Sequence, residues 1–364
     1  MNPKHIVLLK SHLAKMGGAE KYALRLASFF KEKTAVTILS SGPTVLSDIS
    51  ILTEKCSLLS FLHTLEFDKW CTQKIKELNP DVIFGLDRNR YQTHIRASNG
   101  VHAAYLEHRA KNEGLLKGLE FKINPLHRIL LKLEKEGFEH PGLQKLFTNS
   151  HMVKEEILKF YNVSPQKIEV IHNGVEWQEM QKDFDLWPEK KDTKAPFQFL
   201  FLGHNYRRKG LDKLLLGLSL LKEKEWHLSV VGKEKNIEDF VKLAKKLALE
   251  KKVTFFGQKP NIKFFYQIAD CLVIPSFYDP FANVTVEALA MGLFVVSSKT
   301  NGGHEIINKE NGAVIEDLYN PESIAASLAI ALEHPKTRGS SQNIRNSVKH
   351  LDFATQLPFF YASL

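Results

Sequence analysis

The stretch Phe277-Tyr278-Asp279-Pro280-Phe281-Ala282-Asn283-Val284-Thr285-Val286-Glu287-Ala288-Leu289-Ala290-Met291-Gly292 decides how this chain is read. It follows an apolar run, Cys271–Ile274, that closes at Pro275 and reads as a buried strand. Asn283 to Val286 then read as a helix start with free backbone N–H donors, where an anion is favoured. Glu287 lies one turn inside that helix, placed to accept hydrogen bonds from the two vicinal hydroxyls of a ribose. Asp279 adds a second carboxylate on the turn. A nucleoside diphosphate is therefore the first ligand class to consider. The plainer alternative is an ordinary strand-turn-helix with surface acids.

Outward from this stretch, short apolar runs alternate with longer amphipathic ones. Ile6–Leu9, Val36–Leu39 and Val82–Phe84 read as buried strands, with helices at Ala19–Lys31 and Asp68–Leu78. The alternation restarts at Phe197–Leu202 and continues through Leu228–Val231, Val253–Phe256, Cys271–Ile274 and Phe294–Ser297. Helices are expected between them at Leu211–Leu221, Ile237–Leu249, Ile262–Ile268 and Val284–Met291. Such alternation implies an α/β chain with parallel sheets covered on both faces. Glu176–Pro196, charged and carrying Pro188 and Pro196, is the expected linker. Two doubly wound domains result, and in open α/β sheets ligands bind outside the carboxyl ends of the strands.

The deciding stretch resembles the E-x7-E signature of retaining glycosyltransferases of family 4, usually E-G-F-G-x3-L-E-A-x-A-x-G. The spacing and the trailing E-A-x-A-x-G are kept, while Asp279 replaces the first Glu and Pro280 and Ala282 replace two glycines. The resemblance implies the GT-B fold, two Rossmann-like domains facing a cleft. Residues 1–175 would bind the acceptor and 176–350 the nucleotide sugar, with 351–364 crossing back to the first domain. It further implies that Glu287 holds the ribose and Asp279 lies near the transferred sugar. Phe281, Ala282, Asn283 and Val284 would line the donor.

Other segments extend the resemblance. Met16-Gly17-Gly18-Ala19-Glu20 matches a G-G-x-E element after the first strand, so Gly17 and Gly18 are expected beside the donor phosphates. This is not a G-x-G-x-x-G fingerprint, which argues against a dehydrogenase. Gly203-His204-Asn205-Tyr206-Arg207-Arg208-Lys209-Gly210 places three consecutive cations before a helix. Fixed cations there stabilise the charge of a departing diphosphate. The family pattern G-R-x4-K-G is met at Lys209-Gly210, His204 stands where its Arg is expected, and Arg208 or Arg207 would substitute. Arg96-Ala97-Ser98-Asn99-Gly100-Val101-His102 resembles the R-x-x-D-G-V-H segment of lipopolysaccharide-core-type members, implying site roles for His102 and Asn99. Asn99 replaces an Asp and cannot act as a base. Thr148-Asn149-Ser150, Val170–Glu176, Asn301–Glu305 and Asn311-Gly312 fill in lesser matches in the family order.

The chain has 364 residues, 43% hydrophobic and 25% charged, with a net charge of +9. The charge points to an anionic partner. Neither a zinc-finger spacing nor an aromatic RNA-binding strand motif is present, so nucleic acid is not the expected partner. Cys56, Cys71 and Cys271 form no metal or disulfide pattern, which fits a reducing compartment, and the N-terminal residues do not read as a secretory signal. No apolar run reaches the length of a transmembrane helix. Tyr105–Phe138 mixes seven Lys and Arg residues with leucines and isoleucines. It suits an anionic membrane surface as well as it suits helices packed on the domain core.

The expectation is a retaining hexosyltransferase using a UDP-sugar, best UDP-glucose. Its acceptor is expected to be a lipid-linked saccharide such as lipopolysaccharide core, met at the cytoplasmic face. No metal is expected, since no D-x-D motif closes a strand and Arg208 and Lys209 can carry its charge-neutralising role. Two other readings stay open: a GT-B nucleotide-sugar epimerase, and a catalytically silent sugar-nucleotide-binding protein.

Overall fold

A computed structural model describes residues 3–13, 18–42, 48–186, 195–222 and 224–364. The chain divides into two compact units, Met1–Ile171 with Gln356–Leu364, and His172–Thr355.

The first unit runs β1 (His5–Leu9), α1 (Gly18–Lys31), β2 (Ala35–Ser40), β3 (Ser50–Thr53), α2 (Ser60–Leu78), β4 (Val82–Gly85) and β5 (His94–Arg96). Three helices follow, α3 (His102–Glu113), α4 (Leu115–Ile123) and α5 (Pro125–Phe138), then β6 (Lys145–Thr148), α6 (His151–Phe160) and β7 (Ile168–Val170). Among the described residues the strands form one parallel sheet in the order β3-β2-β1-β4-β5-β6-β7. Ile6, Val7, Leu8 and Leu9 are buried on both faces, as strands covered by helices on each side must be. Small polar side chains cap the starts of α5 and α6. Asn124 accepts from Leu126 N at 2.9 Å with Pro125 at the first helical position, and Ser150 accepts from Val153 N at 3.2 Å.

The second unit holds α7 (Gln181–Asp185), β8 (Phe197–Leu202), α8 (Leu211–Leu218), β9 (Trp226–Val231), α9 (Ile237–Lys246), β10 (Val253–Gly257), α10 (Lys263–Ile268) and β11 (Cys271–Ile274). It closes with α11 (Asn283–Ala290), β12 (Phe294–Ser298), β13 (Gly312–Ile315), α12 (Pro321–Leu332) and α13 (Arg338–Ser347). Its parallel sheet has the order β10-β9-β8-β11-β12-β13 among the described residues. Phe199, Leu228, Leu272 and Val295 form the middle of its core and are fully buried.

The expected pair of doubly wound α/β domains is therefore observed. Several elements differ in extent. The second helix begins at Ser60 rather than Asp68, and α8 and α9 stop at Leu218 and Lys246, before the expected Leu221 and Leu249. The expected linker contains α7, and its residues 187–194 lie outside the described ones. The last helix, α14 (Phe353–Ala362), belongs to the first unit from Gln356 onward. There Phe360 packs on Phe84 and Phe147, with ring centroids 6.4 and 5.0 Å away. The buried Arg96 guanidinium lies 4.9 Å from the Phe360 ring and 5.2 Å from that of Tyr22. It donates to the carbonyls of Thr148 and Ile171 at 3.2 and 2.8 Å. Burial pulls the Arg96 pKa down, the Tyr22 hydroxyl partly opposing this.

Candidate functional sites

In the second unit, β8 is flanked by β9 on one side and β11 on the other, so the strand order reverses between β8 and β11. A crevice for ligand opens at the carboxyl ends of such a strand pair. The loops leaving those two ends carry the predicted cations and the first carboxylate. Gly210, before α8, has φ +77°, and a Cβ there would come within 1.9 Å of the Pro275 carbonyl oxygen. Only glycine lets the two loops approach this closely. Phe277 N donates to Arg208 O at 3.0 Å, tying them at a second point.

The result brings Arg208, Lys209 and Asp279 together. Lys209 Nζ lies 2.5 Å and Arg208 Nη1 3.3 Å from the same Asp279 oxygen. Asp279 is buried, and burial alone would raise its pKa. The charges and hydrogen bonds of Lys209 and Arg208 outweigh that and hold it below the usual carboxylate range. Its backbone is fixed as well, Asp279 N donating to Thr300 O and Gly302 N to Asp279 O, both at 2.9 Å. His204, where the family pattern has Arg, is exposed and accepts from Lys233 N at 2.9 Å.

Phe281, Ala282, Asn283 and Val284 form the predicted start of α11, with Phe281 and Ala282 buried. The donors there fall one residue earlier than expected. Ala282 is the cap, so Val286 N faces the cap carbonyl four residues back, and Thr285 N bonds Ala282 O at 2.9 Å. Ala282 N donates to Asn301 Oδ1 at 3.0 Å. The N–H groups of Asn283 and Val284 are what the helix start offers an anion. Glu287 lies one turn inside, as expected, and accepts from the buried Tyr266 hydroxyl at 2.8 Å. Burial, and then Glu287, push the Tyr266 pKa well above its ordinary value, so this hydroxyl keeps its proton. Gly292, the last residue of the signature, ends the helix at φ +71°, and a Cβ there would meet Ser341 at 2.7 Å.

Two supports of this site come from the segments that read only as lesser matches to the family pattern. Asn301, fully buried, also accepts from Gly303 N and donates to Ser297 Oγ at 2.9 Å. Asn173 Nδ2 donates to Asn283 Oδ1 at 2.7 Å, holding the first turn of α11. Nearby, His172 Nε2 and Glu305 Oε2 pair at 2.9 Å.

In the first unit, His102 opens α3 and is 5% exposed. Its backbone N–H donates to both oxygens of Glu134 at 2.8 and 2.9 Å, so a carboxylate sits at a helix N-terminus. Glu134 also accepts from Arg88 Nε and the Tyr161 hydroxyl, each at 2.6 Å. The His102 ring is 3.1 Å, Nε2 to Nδ1, from His127. Burial, and then the positive charges of Arg88, His127 and Arg109, push the His102 pKa down to about 3. His102 is thus a neutral imidazole near neutral pH. Sequence reading missed Glu134, Arg88 and His127. Asn99 is exposed and borders a small pocket that Asp87, Arg88, Asn89 and Glu134 also line. No bond joins Asn99 to His102 among the described residues. Gly17 lies outside the described residues, and Gly18 begins α1.

The three helices of Tyr105–Phe138 bury Phe121, Leu133 and Phe138 and expose Leu119 and Ile123. Part of their positive charge is spent locally: Arg109 pairs with Glu113 at 2.6 Å and Lys111 with Glu107 at 3.2 Å. Among the described residues, no helix is long and apolar enough to cross a membrane.

Comparison with known proteins gives two matching families. Residues 16–179 match the family described as Glycosyltransferase Family 4, and residues 183–348 that described as Glycosyl transferases group 1. The lipopolysaccharide glucosyltransferase WaaG of Escherichia coli K12 is 24% identical over 292 residues, 77% of this chain and 76% of that protein. An uncharacterised glycosyltransferase of Methanocaldococcus jannaschii is 31% identical over 195 residues. That match covers 50% of this chain and only 49% of the archaeal protein. Among solved structures, a crystal structure of WaaG superposes with a TM-score of 0.78 at 19% identity, covering 98% of each chain.

Proposed function

Because this chain belongs to the GT-B glycosyltransferases, we propose that it is a retaining hexosyltransferase that moves glucose from UDP-glucose to a lipid-linked saccharide of the lipopolysaccharide-core kind. The observation that carries the reading is the cluster of Lys209, Arg208 and Asp279 at the β8/β11 strand ends, next to the N–H groups that open α11. A diphosphate fits between those cations and the Asn283 and Val284 N–H groups. Glu287 takes the ribose hydroxyls. As the bond between the anomeric carbon and the diphosphate oxygen breaks, negative charge collects where Arg208 and Lys209 stand ready. The acceptor oxygen bonds the anomeric carbon on the same face, and its proton passes to the leaving phosphate oxygen. Asp279 holds a sugar hydroxyl, and His102, neutral, orients a sugar hydroxyl rather than exchanging protons. Arg208 and Lys209 supply the neutralising charge, so no resident metal is called for in this scheme.

Release of UDP from UDP-glucose, with and without a lipopolysaccharide-core acceptor, tests the reading. Release that rises with acceptor, persists in a chelator and gives an α-linked product supports it. Interconversion of the sugar without transfer would make the protein an epimerase. UDP binding with no turnover of any common nucleotide sugar would make it a silent binder. For the acceptor to be reached, the exposed Leu119 and Ile123 with Lys122 and Arg128 bring the first unit to an anionic membrane surface on the cytoplasmic side.

A further inference from the structure

The two units carry the same device at corresponding places in their sheets. In the second, Lys209 after β8 meets Asp279 after β11, where the strand order reverses. In the first, the order reverses between β1 and β4, and there Lys10 after β1 meets Asp87 after β4 at 2.9 Å. Lys10 and Asp87 lie at strand carboxyl ends, where an open α/β sheet binds its ligand.

Asp87 is held rigidly. One of its oxygens accepts from Ser11 N at 2.7 Å and Ser11 Oγ at 2.9 Å, the other from Lys10. The Ser11 carbonyl is in turn fixed by Ser41 N and Oγ at 2.8 and 2.6 Å. Two imidazoles stand beside it. His12 Nδ1 lies 3.1 Å from Ser11 Oγ, His63 Nε2 lies 3.0 Å from Ser41 Oγ, and the two ring centroids are 4.8 Å apart. His63 is backed by the buried Phe67, whose ring is stacked 6.4 Å behind it.

We propose that Asp87, His12 and His63 form a saccharide subsite on the first unit that takes vicinal hydroxyls of a neutral sugar ring of the acceptor, an assignment that rests on the acceptor reading above. The chemistry selects a polyol over a phosphate. Where Arg208 leaves the Lys209–Asp279 cluster with a net positive charge, Lys10 and Asp87 cancel one another and leave none to hold an anion. Burial, then the charge of His12, lower the His63 pKa against the opposing pull of Glu66 and Asp87. A carboxylate accepts from hydroxyl donors. Ser11 Oγ and Ser41 Oγ give their own protons to Asp87 and to the Ser11 carbonyl, so each takes the N–H of its histidine, and the other ring nitrogen of a neutral imidazole is left to accept from a sugar hydroxyl. The paired rings add an apolar face for the C–H side of a sugar.

The test titrates core oligosaccharide released from lipopolysaccharide, before and after enzymatic dephosphorylation, into the UDP-loaded full chain. His12→Ala and His63→Ala should each weaken saccharide binding tenfold or more, with UDP affinity and the melting temperature unchanged. His63→Gln, which keeps a hydrogen-bonding group, should recover most of the loss. Dephosphorylation should change wild-type affinity less than threefold. Wild-type affinity for the saccharide in both alanine variants, or loss of binding on dephosphorylation, overturns the assignment. Failure of the UDP-loaded wild type to bind either oligosaccharide refutes the acceptor reading itself, and this subsite with it.

Discussion

Lys209 Nζ and Asp279 Oδ2 are joined at 2.5 Å, with only about a tenth of either side chain exposed. Family resemblance gives the two groups separate tasks, the cation on the diphosphate and the carboxylate near the sugar. The geometry makes them one unit. Under the proposed function a bound diphosphate has to share Lys209 with Asp279, so the cation would be aimed by the carboxylate before donor arrives, with the cost of orienting it met in folding rather than at the chemical step.

Removing Lys209 should therefore expose the burial of Asp279. In the wild type the folded pKa of Asp279 is depressed. Its contribution to stability is present above the unfolded value of about 3.9 and is lost as pH falls through the folded value. In Lys209→Met the dominant remaining influence is burial, which raises the folded pKa. A raised carboxylate contributes stability below the unfolded value that is lost as pH rises. The variant should be destabilised by about 3–5 kcal/mol at pH 7.5. The deficit should shrink at pH 4.5, as read from chemical denaturation at the two pH values. An equal deficit at both would mean that Arg208 alone keeps Asp279 charged.

Glu287→Ala should weaken UDP binding by about 1.5–3 kcal/mol, the worth of a hydrogen bond to a charged group. The same change strips the buried Tyr266 hydroxyl of its partner at 2.8 Å, so stability falls as well. Glu287→Gln separates the effects, because an amide still accepts from Tyr266 but lacks the charge that favours two ribose hydroxyls. Calorimetry should find affinity reduced in both variants, and melting should find stability reduced mainly in the alanine one. Unchanged UDP affinity in Glu287→Ala would take the ribose away from this residue.

Sedimentation with vesicles checks the membrane reading. The cations of Tyr105–Phe138 that are not tied to neighbouring glutamates should bind phosphatidylglycerol vesicles and leave neutral ones free, each contributing roughly 1 kcal/mol near the surface. Replacing Lys122 and Arg128 with Gln should release most of the protein. Binding that ignores lipid charge and salt would remove the electrostatic part.

How much of this was legible in the sequence follows from strand length and from how far partners lie apart. Cys271–Ile274 is an apolar run buried throughout, Phe197–Leu202 is one broken only by the half-buried Gln198, and both were readable. The strands Ser50–Thr53, His94–Arg96 and Ile168–Val170 were not. They are three or four residues long and carry Ser, Thr, His, Arg or Glu, so their place in the sheet comes from pairing with stronger neighbours. The second helix starts with Leu59 as its cap and no side-chain hydrogen bond, so no start signal marks Ser60. The candidate donor site could be assembled from the sequence because strand, turn and helix start are contiguous. Glu134 was invisible, since it meets His102, Arg88 and Tyr161 across 32, 46 and 27 residues.

Glu134 bears on the last prediction, the unequal weight of His102 and Asn99. The proposed retention with the leaving phosphate as base asks the protein for orientation and electrostatics, and a neutral imidazole would supply the first. His102 is fixed through its backbone by Glu134 and through its ring by His127, whereas Asn99 is exposed. His102→Ala should lower kcat/KM by about 10–100-fold, the loss of one oriented hydrogen bond in the transition state. Asn99→Ala should lower it less. Because the His102 pKa is pushed down to about 3, no ionisation of this residue should appear in the activity profile between pH 5 and 8. The same depression has a signed effect on stability. The unfolded imidazole takes up a proton below about 6.5 and the folded one does not, so stability falls on acidification by up to about 1.4 kcal/mol per pH unit for this group. His102→Asn should flatten that slope between pH 6.5 and 4 as measured by denaturant titration. A rate profile in which an ionisation between pH 5 and 8 disappears with His102→Asn would instead give His102 a proton-transfer role.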